Sequence, residues 1–228
     1  MPISKGSSAV RKVLIIDDHA VFRDGLARII NQEKDLTVCG EATDGVEALE
    51  LAPRLKPDLM IVDVTLEGMT GIDLTKTLRE RFPQVRILVL SMHKETLYAE
   101  RALRAGANGY IMKRESGRKL LSAMRHVLGG QTYISEDMNR VLLEKVSGQG
   151  RNADAAPMDR LSDRELEIFR LLGQGYGTRQ MSDHLHVSVK TIESHKERIR
   201  AKLGFDTNFE LVQHAIHWAF GETHPRTA

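Results

Sequence analysis

The sequence contains one cysteine and no long hydrophobic run, and each shortage excludes a class of protein. The single thiol, Cys39, cannot form an internal disulfide, and its strand-like surroundings favour a small core residue over a catalytic one. No apolar run approaches the ~20 residues that span a bilayer, and the first residues lack the apolar middle of a signal peptide. We therefore expect a cytoplasmic protein without a membrane partner.

An excess of charge of one sign is also missing. The 33 lysines and arginines are nearly balanced by 31 aspartates and glutamates, which leaves a net charge of +2. This balance neither predicts nor excludes nucleic-acid binding, so only local clusters of charge are informative. The length of 228 residues and the apolar content of 41% are sufficient for two modest domains or one large one.

Residues 10–130 alternate short aliphatic runs with segments of helical periodicity. Five of the runs are apolar on both faces, as in the strands of a parallel sheet that is covered by helices on both sides. These runs are VLIID, LTVCG, LMIVD, RILVLS and GYIMK. The pattern predicts a doubly wound α/β domain with a five-stranded parallel sheet.

A second, all-helical domain is predicted over residues 161–222. The strand signal disappears there, and four helical segments follow: SDRELEIFRLLG, TRQMSDHL, VKTIESHKERIRAKL and NFELVQHAIHWAF. Ser162 and Glu165 have the spacing of a capping box, and Gly173 and Gly204 lie where helices are expected to end. Between the domains, residues 131–160 are predicted to form a connecting helix and a flexible linker, since SGQGRNADAAPM is rich in small and polar residues.

Chemically active side chains follow four of the predicted strands. Asp17 and Asp18 end the first strand, Asp63 the third, Ser91 the fourth and Lys113 the fifth. In an open parallel sheet these strand ends meet at one edge, where ligands bind. Oxygen ligands favour Mg²⁺, and a carboxylate beside Mg²⁺ can attack a phosphoryl group. Each residue alone has a structural explanation, such as a helix cap or a solvated lysine, but their joint placement predicts a phosphoacceptor site.

Residues 12–128 resemble the receiver domain of two-component response regulators through VLIIDDH, LMIVDV, LSMH and AGANGYIMK. The resemblance implies that a sensor histidine kinase phosphorylates Asp63, with Lys113 balancing the phosphate charge. It implies that Ser91 and Tyr110 form a switch pair, in which the hydroxyl turns toward the phosphate and the ring moves inward. The implied Mg²⁺ ligands are Asp17, Asp18, Asp63 and the backbone carbonyl of Thr65.

A phosphatase of the haloacid dehalogenase type is the enzymatic alternative for this site. Such enzymes also place a nucleophilic aspartate beside Mg²⁺ at a strand end, but they use a second aspartate two residues later as a general acid. Thr65 occupies that position here. We therefore predict that the protein is not an enzyme and that the phosphoryl group persists as a signal.

Residues 161–220 resemble the LuxR-type helix-turn-helix of the NarL/FixJ class of regulators. Independently of that resemblance, TRQMSDHL, HVS and VKTIESHKERIRAKL have the pattern of a helix, a short turn and a longer helix. At ~100° per residue, Ile192, Ile199 and Leu203 share the inner face of the longer helix, with His195 at its border as a packing residue.

The opposite face of the longer helix presents Lys190, Glu193, Ser194 and Glu197, flanked by Arg198 and Arg200, and could enter a major groove of double-stranded DNA. A solvated charged face is the alternative, and the glutamates oppose a purely basic patch, but lysines and arginines outnumber them. A glutamate can also accept a hydrogen bond from cytosine N4. The predicted DNA-binding residues are Lys190, Thr191, Glu193, Ser194, Lys196, Glu197, Arg198, Arg200 and Lys202.

The two resemblances together predict a DNA-binding transcriptional response regulator. Phosphorylation of Asp63 is expected to alter the surface of the first domain. In the family that this chain resembles, such a change relieves an inhibitory contact or promotes a homodimer, and the sequence leaves both routes open. The homodimer on activation would place its recognition helices on promoter half-sites about one helical turn apart. The alternative is a DNA-binding regulator that is independent of phosphorylation and is controlled by abundance or by a protein partner. A third possibility, a module that serves only as a phosphate sink or for protein interaction, is disfavoured by the helix-turn-helix sequence.

Overall fold

A computed structural model describes residues 9–92, 95–146 and 157–223. The chain divides into two compact units, Met1–Ser147 and Gly148–Ala228. The predicted flexible linker falls mostly on residues 147–156, outside the described ranges. Within those ranges, no helix combines the length and the apolar character that are needed to cross a bilayer.

The first unit contains a five-stranded parallel sheet flanked by helices, as the sequence predicted. Its strands are β1 (Arg11–Ile16), β2 (Leu36–Ala42), β3 (Leu59–Asp63), β4 (Arg86–Ser91) and β5 (Gly109–Met112). Its helices are α1 (Ala20–Asn31), α2 (Gly45–Leu55), α3 (Gly71–Arg81), α4 (Glu95–Arg104), α5 (Gly117–Leu128) and α6 (Glu136–Val146). The strand order is β2-β1-β3-β4-β5. After β1 the chain adds β2 on one side of it and the later strands on the other side, so the strand order reverses between β1 and β3, which is where such sheets bind ligands.

The central strands form the core of this unit because they are apolar on both faces. Val13–Ile16 are fully buried, and all five residues of β3 are buried. Helices α1 and α5 cover one face of the sheet, where Leu26, Ile30 and Met124 pack with Val13 and Ile15. This rigid centre fixes the positions of the residues that follow β1 and β3.

Helix α6 is attached to the first unit by the segment that precedes it. The backbone N–H of Tyr110 donates to the carbonyl oxygen of Tyr133 at 2.8 Å, and that of Tyr133 donates to Asn108 at 3.0 Å. The N–H of Ser135 donates to Glu95 Oε1 at 2.8 Å, and α6 itself packs against α4. A helix therefore lies in the region that was predicted to connect the two domains, and its attachment to β5 and α4 is a contact between distant segments that periodicity does not reveal.

In its described part, residues 157–223, the second unit contains a 3₁₀ turn and four helices. The turn is Pro157–Arg160, and the helices are α7 (Asp163–Gly173), α8 (Thr178–His184), α9 (Val189–Leu203) and α10 (Asn208–Thr223). The predicted capping box is present, since Ser162 Oγ accepts from the N–H of Glu165 and Glu165 Oε2 accepts from the N–H of Ser162. Helix α9 ends at Gly204, whose φ is 73°, whereas the positive-φ glycine after α7 is Gly175 rather than Gly173.

Candidate functional site

Three carboxylates meet at the carboxyl edge of the sheet. Asp17 and Asp18 follow β1, and Asp63 is the last residue of β3. Ligand atoms of these residues and of His19 all lie within 4.8 Å of one another. The side chains of Asp17 and Asp63 are almost completely buried, whereas that of Asp18 is 28% exposed, so the cluster is open to solvent on the Asp18 side.

Lys113 places a positive charge between two of the carboxylates. Its Nζ lies 2.7 Å from Asp17 Oδ2 and 2.6 Å from Asp63 Oδ2, and its side chain is only 4% exposed. The ammonium also lies 4.7 Å from the centre of the Phe22 ring. The Lys113 ammonium thus offsets the repulsion between the two buried carboxylates. From the sequence, Lys113 was predicted only to balance the charge of the phosphate.

One ammonium does not fully compensate this cluster. Burial raises the pKa of Asp63 to about 7, and the charges of Asp17 and Asp18 act in the same direction while Lys113 opposes them. Burial by itself would lower the pKa of Lys113, but the Asp63 and Asp17 carboxylates outweigh burial and raise it. An excess of negative charge remains, which favours a further cation.

The loop after β1 is fixed by two residues that sequence reasoning did not single out. His19 Nδ1 lies 2.5 Å from Asp18 Oδ1, and the backbone N–H of His19 donates to Asp17 Oδ1 at 2.9 Å. Arg23 donates through Nη1 to the carbonyl oxygen of Asp17 at 2.6 Å and through Nε to Glu41 at 3.0 Å. In the sequence, the only indication of this role was that both residues are basic and lie close to the Asp17–Asp18 pair.

Gly71 fixes the backbone at the other side of the site. Its N–H donates to the carbonyl oxygen of Val64 at 2.7 Å. A Cβ on this residue would lie 1.7 Å from the carbonyl oxygen of Asp63, so only glycine fits. Thr65 lies in the intervening loop and pairs with Thr70, whose side chain caps α3. In the sequence, the indication of this role was that Thr70 is followed by Gly71 at the start of a predicted helix.

Ser91 and Tyr110 lie on the adjacent strands β4 and β5, and both are completely buried. The carbonyl oxygen of Ser91 accepts from the backbone N–H of Lys113 at 2.7 Å. Burial raises the pKa of the Tyr110 hydroxyl, against the opposing effect of a hydrogen bond with Ser91. The ring of Tyr110 thus lies inside the fold and is linked directly to Ser91.

Helix α9 has an apolar inner face and a charged outer face. Ile192 and Ile199 are fully buried, whereas Lys190, Glu197 and Arg198 are exposed. Of the remaining predicted DNA contacts, Thr191, Glu193, Ser194 and Arg200 are partly buried and Lys202 is exposed. The inner and outer faces therefore agree with the helical pattern in the sequence.

Two of the predicted DNA-binding lysines are engaged within the protein. Lys196 is only 9% exposed, and its Nζ donates to Glu193 Oε1 at 3.0 Å and to Thr178 Oγ1 at 3.2 Å. Lys202 Nζ lies 2.6 Å from Oε2 of Glu165. These two pairings were not predicted, because the residue pattern of a single helix does not include its neighbours, and the contacts of both lysines with DNA stay predictions.

His195 lies at the border of the buried face, in agreement with its expected packing role. Its Nδ1 atom is buried and has no hydrogen-bond partner among the described residues. Burial lowers the pKa of its imidazole, and the charge of Arg198 acts in the same direction. A neutral histidine is therefore favoured in this domain.

The fold and the acidic site define a receiver domain that is joined to a helix-turn-helix domain, which is the organisation of a DNA-binding response regulator. Residues 13–125 match the family described as Response regulator receiver domain, and residues 159–215 match Bacterial regulatory proteins, luxR family. The chain therefore belongs to the LuxR family of response regulators, which are DNA-binding proteins under the control of phosphorylation.

Individual relatives share this organisation over nearly the whole chain. Oxygen regulatory protein NreC of Staphylococcus carnosus is 40% identical over 209 residues, which cover 90% of this chain and 96% of NreC. RcsB of Salmonella enterica serovar Typhimurium, bound to promoter rprA with phosphomimetic BeF3⁻, has a TM-score of 0.60 at 28% identity, with 91% and 98% coverage. A structure of two RcsB dimers bound to two parallel DNAs has a TM-score of 0.56 at 28% identity, with 90% and 97% coverage.

Proposed function

We propose that a sensor histidine kinase phosphorylates Asp63 and that this modification increases the affinity of α9 for promoter DNA. The observation that carries the proposal is the buried Asp63 carboxylate, 2.6 Å from the Lys113 ammonium, in a chain that also contains a recognition helix. A carboxylate oxygen of Asp63 attacks phosphorus while the phosphorus–nitrogen bond of the kinase phosphohistidine breaks. Lys113 stabilises the negative charge on the transferred group.

Mg²⁺ is the proposed cofactor of this transfer. Its ligands would be Asp17, Asp18, Asp63 and the backbone carbonyl of Thr65, a set of hard oxygen donors. The fit rests on the closeness of the carboxylates and on the negative charge that Lys113 leaves uncompensated. When bound, Mg²⁺ would neutralise charge on the carboxylate and phosphoryl oxygens.

The proposed switch consists of Ser91 and Tyr110. Once Asp63 carries a phosphoryl group, the Ser91 hydroxyl turns from Tyr110 to a phosphoryl oxygen, because a charged acceptor forms the stronger hydrogen bond. The backbone of Tyr110 is bonded to Tyr133, which leads into α6, and Glu95 of α4 is bonded to Ser135. A shift at Tyr110 therefore reaches the end of the first unit through a short series of contacts.

An apolar cavity next to the acidic site supports a protein as the phosphodonor. The cavity has a volume of about 490 Å³ and is lined by residues of α1 and α5, including Phe22, Leu26 and Leu120. Val21, on the same surface, is 87% exposed. This surface suits the region of the kinase around its phosphohistidine. Val21→Glu is expected to slow phosphotransfer from the kinase and to leave labelling by acetyl phosphate unchanged.

The proposed output is binding of a homodimer to two promoter half-sites. The exposed side of α9 enters the major groove, where Lys190, Arg198 and Arg200 neutralise phosphates and Glu193 and Ser194 contact bases. The DNA-bound dimers of RcsB support this arrangement, which requires a cytoplasmic location. With Thr65 in place of a general acid, no catalytic turnover is proposed.

Labelling with radioactive acetyl phosphate tests the proposal. The full chain, Asp63→Asn and the control Asp24→Asn are incubated with and without Mg²⁺, and DNA binding is measured on the same samples. Asp24 is exposed on α1, so its replacement makes the same chemical change away from the site. We expect Mg²⁺-dependent labelling and tighter DNA binding in the wild type and Asp24→Asn only. Unchanged DNA binding without any labelling would support the phosphorylation-independent regulator instead.

A further inference from the structure

We infer that Thr178 and Lys196 are positioning residues that hold the Glu193 carboxylate for recognition of a cytosine in the major groove. The inference rests on the proposed function, because it concerns the DNA that α9 contacts. Two residues thus contribute to base specificity through Glu193, and one of them, Thr178, lies outside the recognition helix α9.

The three side chains form a closed set of hydrogen bonds between α8 and α9. Thr178 Oγ1 donates to Glu193 Oε1 at 2.7 Å, and Lys196 Nζ donates to the same carboxylate oxygen at 3.0 Å. Lys196 Nζ also donates to Thr178 Oγ1 at 3.2 Å. Because the lysine has only protons to give, the single hydroxyl proton of Thr178 is directed to Glu193. Each group therefore has one defined orientation.

The backbone on the α8 side of this set is fixed. Thr178 is the first residue of α8, and the N–H of the preceding Gly177 donates to Gln180 Oε1 at 2.8 Å. Lys196 is 9% exposed, while the side chain of Glu193 remains 45% exposed. A buried anchor thus holds a solvent-facing carboxylate, which is the arrangement expected of a preorganised recognition group.

The geometry leaves one oxygen of Glu193 available to DNA. Both hydrogen bonds fall on Oε1, and no described residue donates to Oε2. An ionised carboxylate only accepts hydrogen bonds, and the two donors lower the pKa of Glu193, so it stays ionised. In the major groove cytosine presents only the N4 amino donor, whereas guanine N7 and O6 and thymine O4 present acceptors that repel a carboxylate. Adenine also presents an amino donor at N6, but its N7 acceptor lies beside that donor and repels the second carboxylate oxygen, so cytosine is the better partner.

This arrangement also explains why the recognition helix tolerates a glutamate close to phosphates. The Lys196 ammonium, 3.0 Å away, compensates the carboxylate before DNA arrives. Lys196 therefore acts through Glu193 and does not supply a phosphate contact. A free glutamate at this position would add both repulsion and side-chain entropy to the cost of binding.

The test measures base preference separately from overall affinity. Phosphorylated full-length protein is selected against a double-stranded DNA library with 20 randomised base pairs, and single-base variants of the selected site are then titrated. We expect Glu193→Gln, Thr178→Val and Lys196→Met to reduce the preference for cytosine at one base pair by about tenfold. Binding to a scrambled duplex is expected to change much less.

Conservative and matched variants distinguish positioning from a purely structural role. Thr178→Ser keeps the hydroxyl and is expected to restore the cytosine preference, whereas Lys190→Met loses the same charge as Lys196→Met without touching Glu193. Lys190→Met is expected to weaken binding to all sequences and to retain that preference. Loss of affinity without a change of base preference in Thr178→Val would overturn the inference. Absence of binding to any duplex by the wild type would instead reject the proposed function.

Discussion

The backbone N–H of Tyr110 donates a 2.8 Å hydrogen bond to the carbonyl oxygen of Tyr133. This bond joins β5, which carries the proposed switch residue, to the segment that enters α6. Gly109 lies at the closest point of this junction, where it forms a bridge with Tyr133. A substitution at this junction should therefore affect the transmission of phosphorylation to α6 and leave the phosphorylation of Asp63 itself intact.

Gly109→Ala is expected to disturb this junction. The added Cβ would lie 2.8 Å from the carbonyl oxygen of Tyr133 and 3.1 Å from Leu88 Cδ1, so the backbones must move apart. We expect a loss of about 1–3 kcal/mol in the free energy of unfolding and faster hydrogen exchange at the amide of Tyr110. Gly25→Ala is the control, since nothing lies within 4 Å of its Cβ, and it should stabilise α1 by about 0.5–1 kcal/mol. Equal effects of the two changes would contradict this account.

Gly71→Ala is expected to damage the phosphoacceptor site itself. A Cβ at 1.7 Å from the carbonyl oxygen of Asp63 cannot be accommodated without moving the end of β3. We expect a destabilisation of at least about 2 kcal/mol and a large loss of acetyl phosphate labelling, measured under conditions where circular dichroism still shows a folded chain. Normal labelling of a folded Gly71→Ala protein would show that this contact does not position Asp63.

The salt dependence of DNA binding should distinguish the two lysines of α9. Lys190 is exposed and forms no ion pair with a described residue, whereas Lys196 is paired with Glu193. In plots of log K against log salt concentration, Lys190→Met should reduce the slope by about 0.9, as expected for one lost phosphate contact. Lys196→Met combined with Glu193→Gln removes both members of the ion pair and should leave the slope unchanged. A reduced slope in this double variant would assign the Lys196 ammonium to a phosphate.

The stability of the DNA-binding unit should depend on pH through His195. Its pKa is lowered from the ordinary value of 6.5, so below that pH the unfolded chain binds more protons than the folded one. The free energy of unfolding should therefore fall as the pH decreases from about 7.5 to about 5.5, and it should fall less in His195→Leu.

The fluorescence of Trp218 allows the stability of the DNA-binding unit to be measured separately from that of the first unit. It is the single tryptophan of the chain, and its ring centre lies 5.5 Å from that of Phe169 on α7. Thermal unfolding followed at this residue reports on the DNA-binding unit in the full-length protein. The same pH dependence in wild type and His195→Leu would assign the effect to other groups.

The sequence was sufficient to predict the sheet, the four C-terminal helices and the strand-end residues. Strands that are apolar on both faces and helices with clear caps leave few alternatives, and the bounds of α9 were predicted to the residue. Contacts between distant segments were not predictable. The pairing of Lys196 with Thr178, the bridge between Lys113 and two carboxylates and the attachment of Tyr133 depend on side-chain directions and approach distances that periodicity does not encode.

The bridge formed by Lys113 makes this residue a tethered competitor of any cation that enters the acidic site. Its ammonium already occupies the space between Asp17 and Asp63, and the chain holds it there at a high effective concentration. A free ion must share both carboxylates with this ammonium and is repelled by it, and a phosphoryl group on Asp63 would weaken that competition by giving the ammonium a new partner. Cation binding and phosphorylation should therefore strengthen each other, so that a divalent cation would bind the phosphorylated protein more tightly than the resting protein.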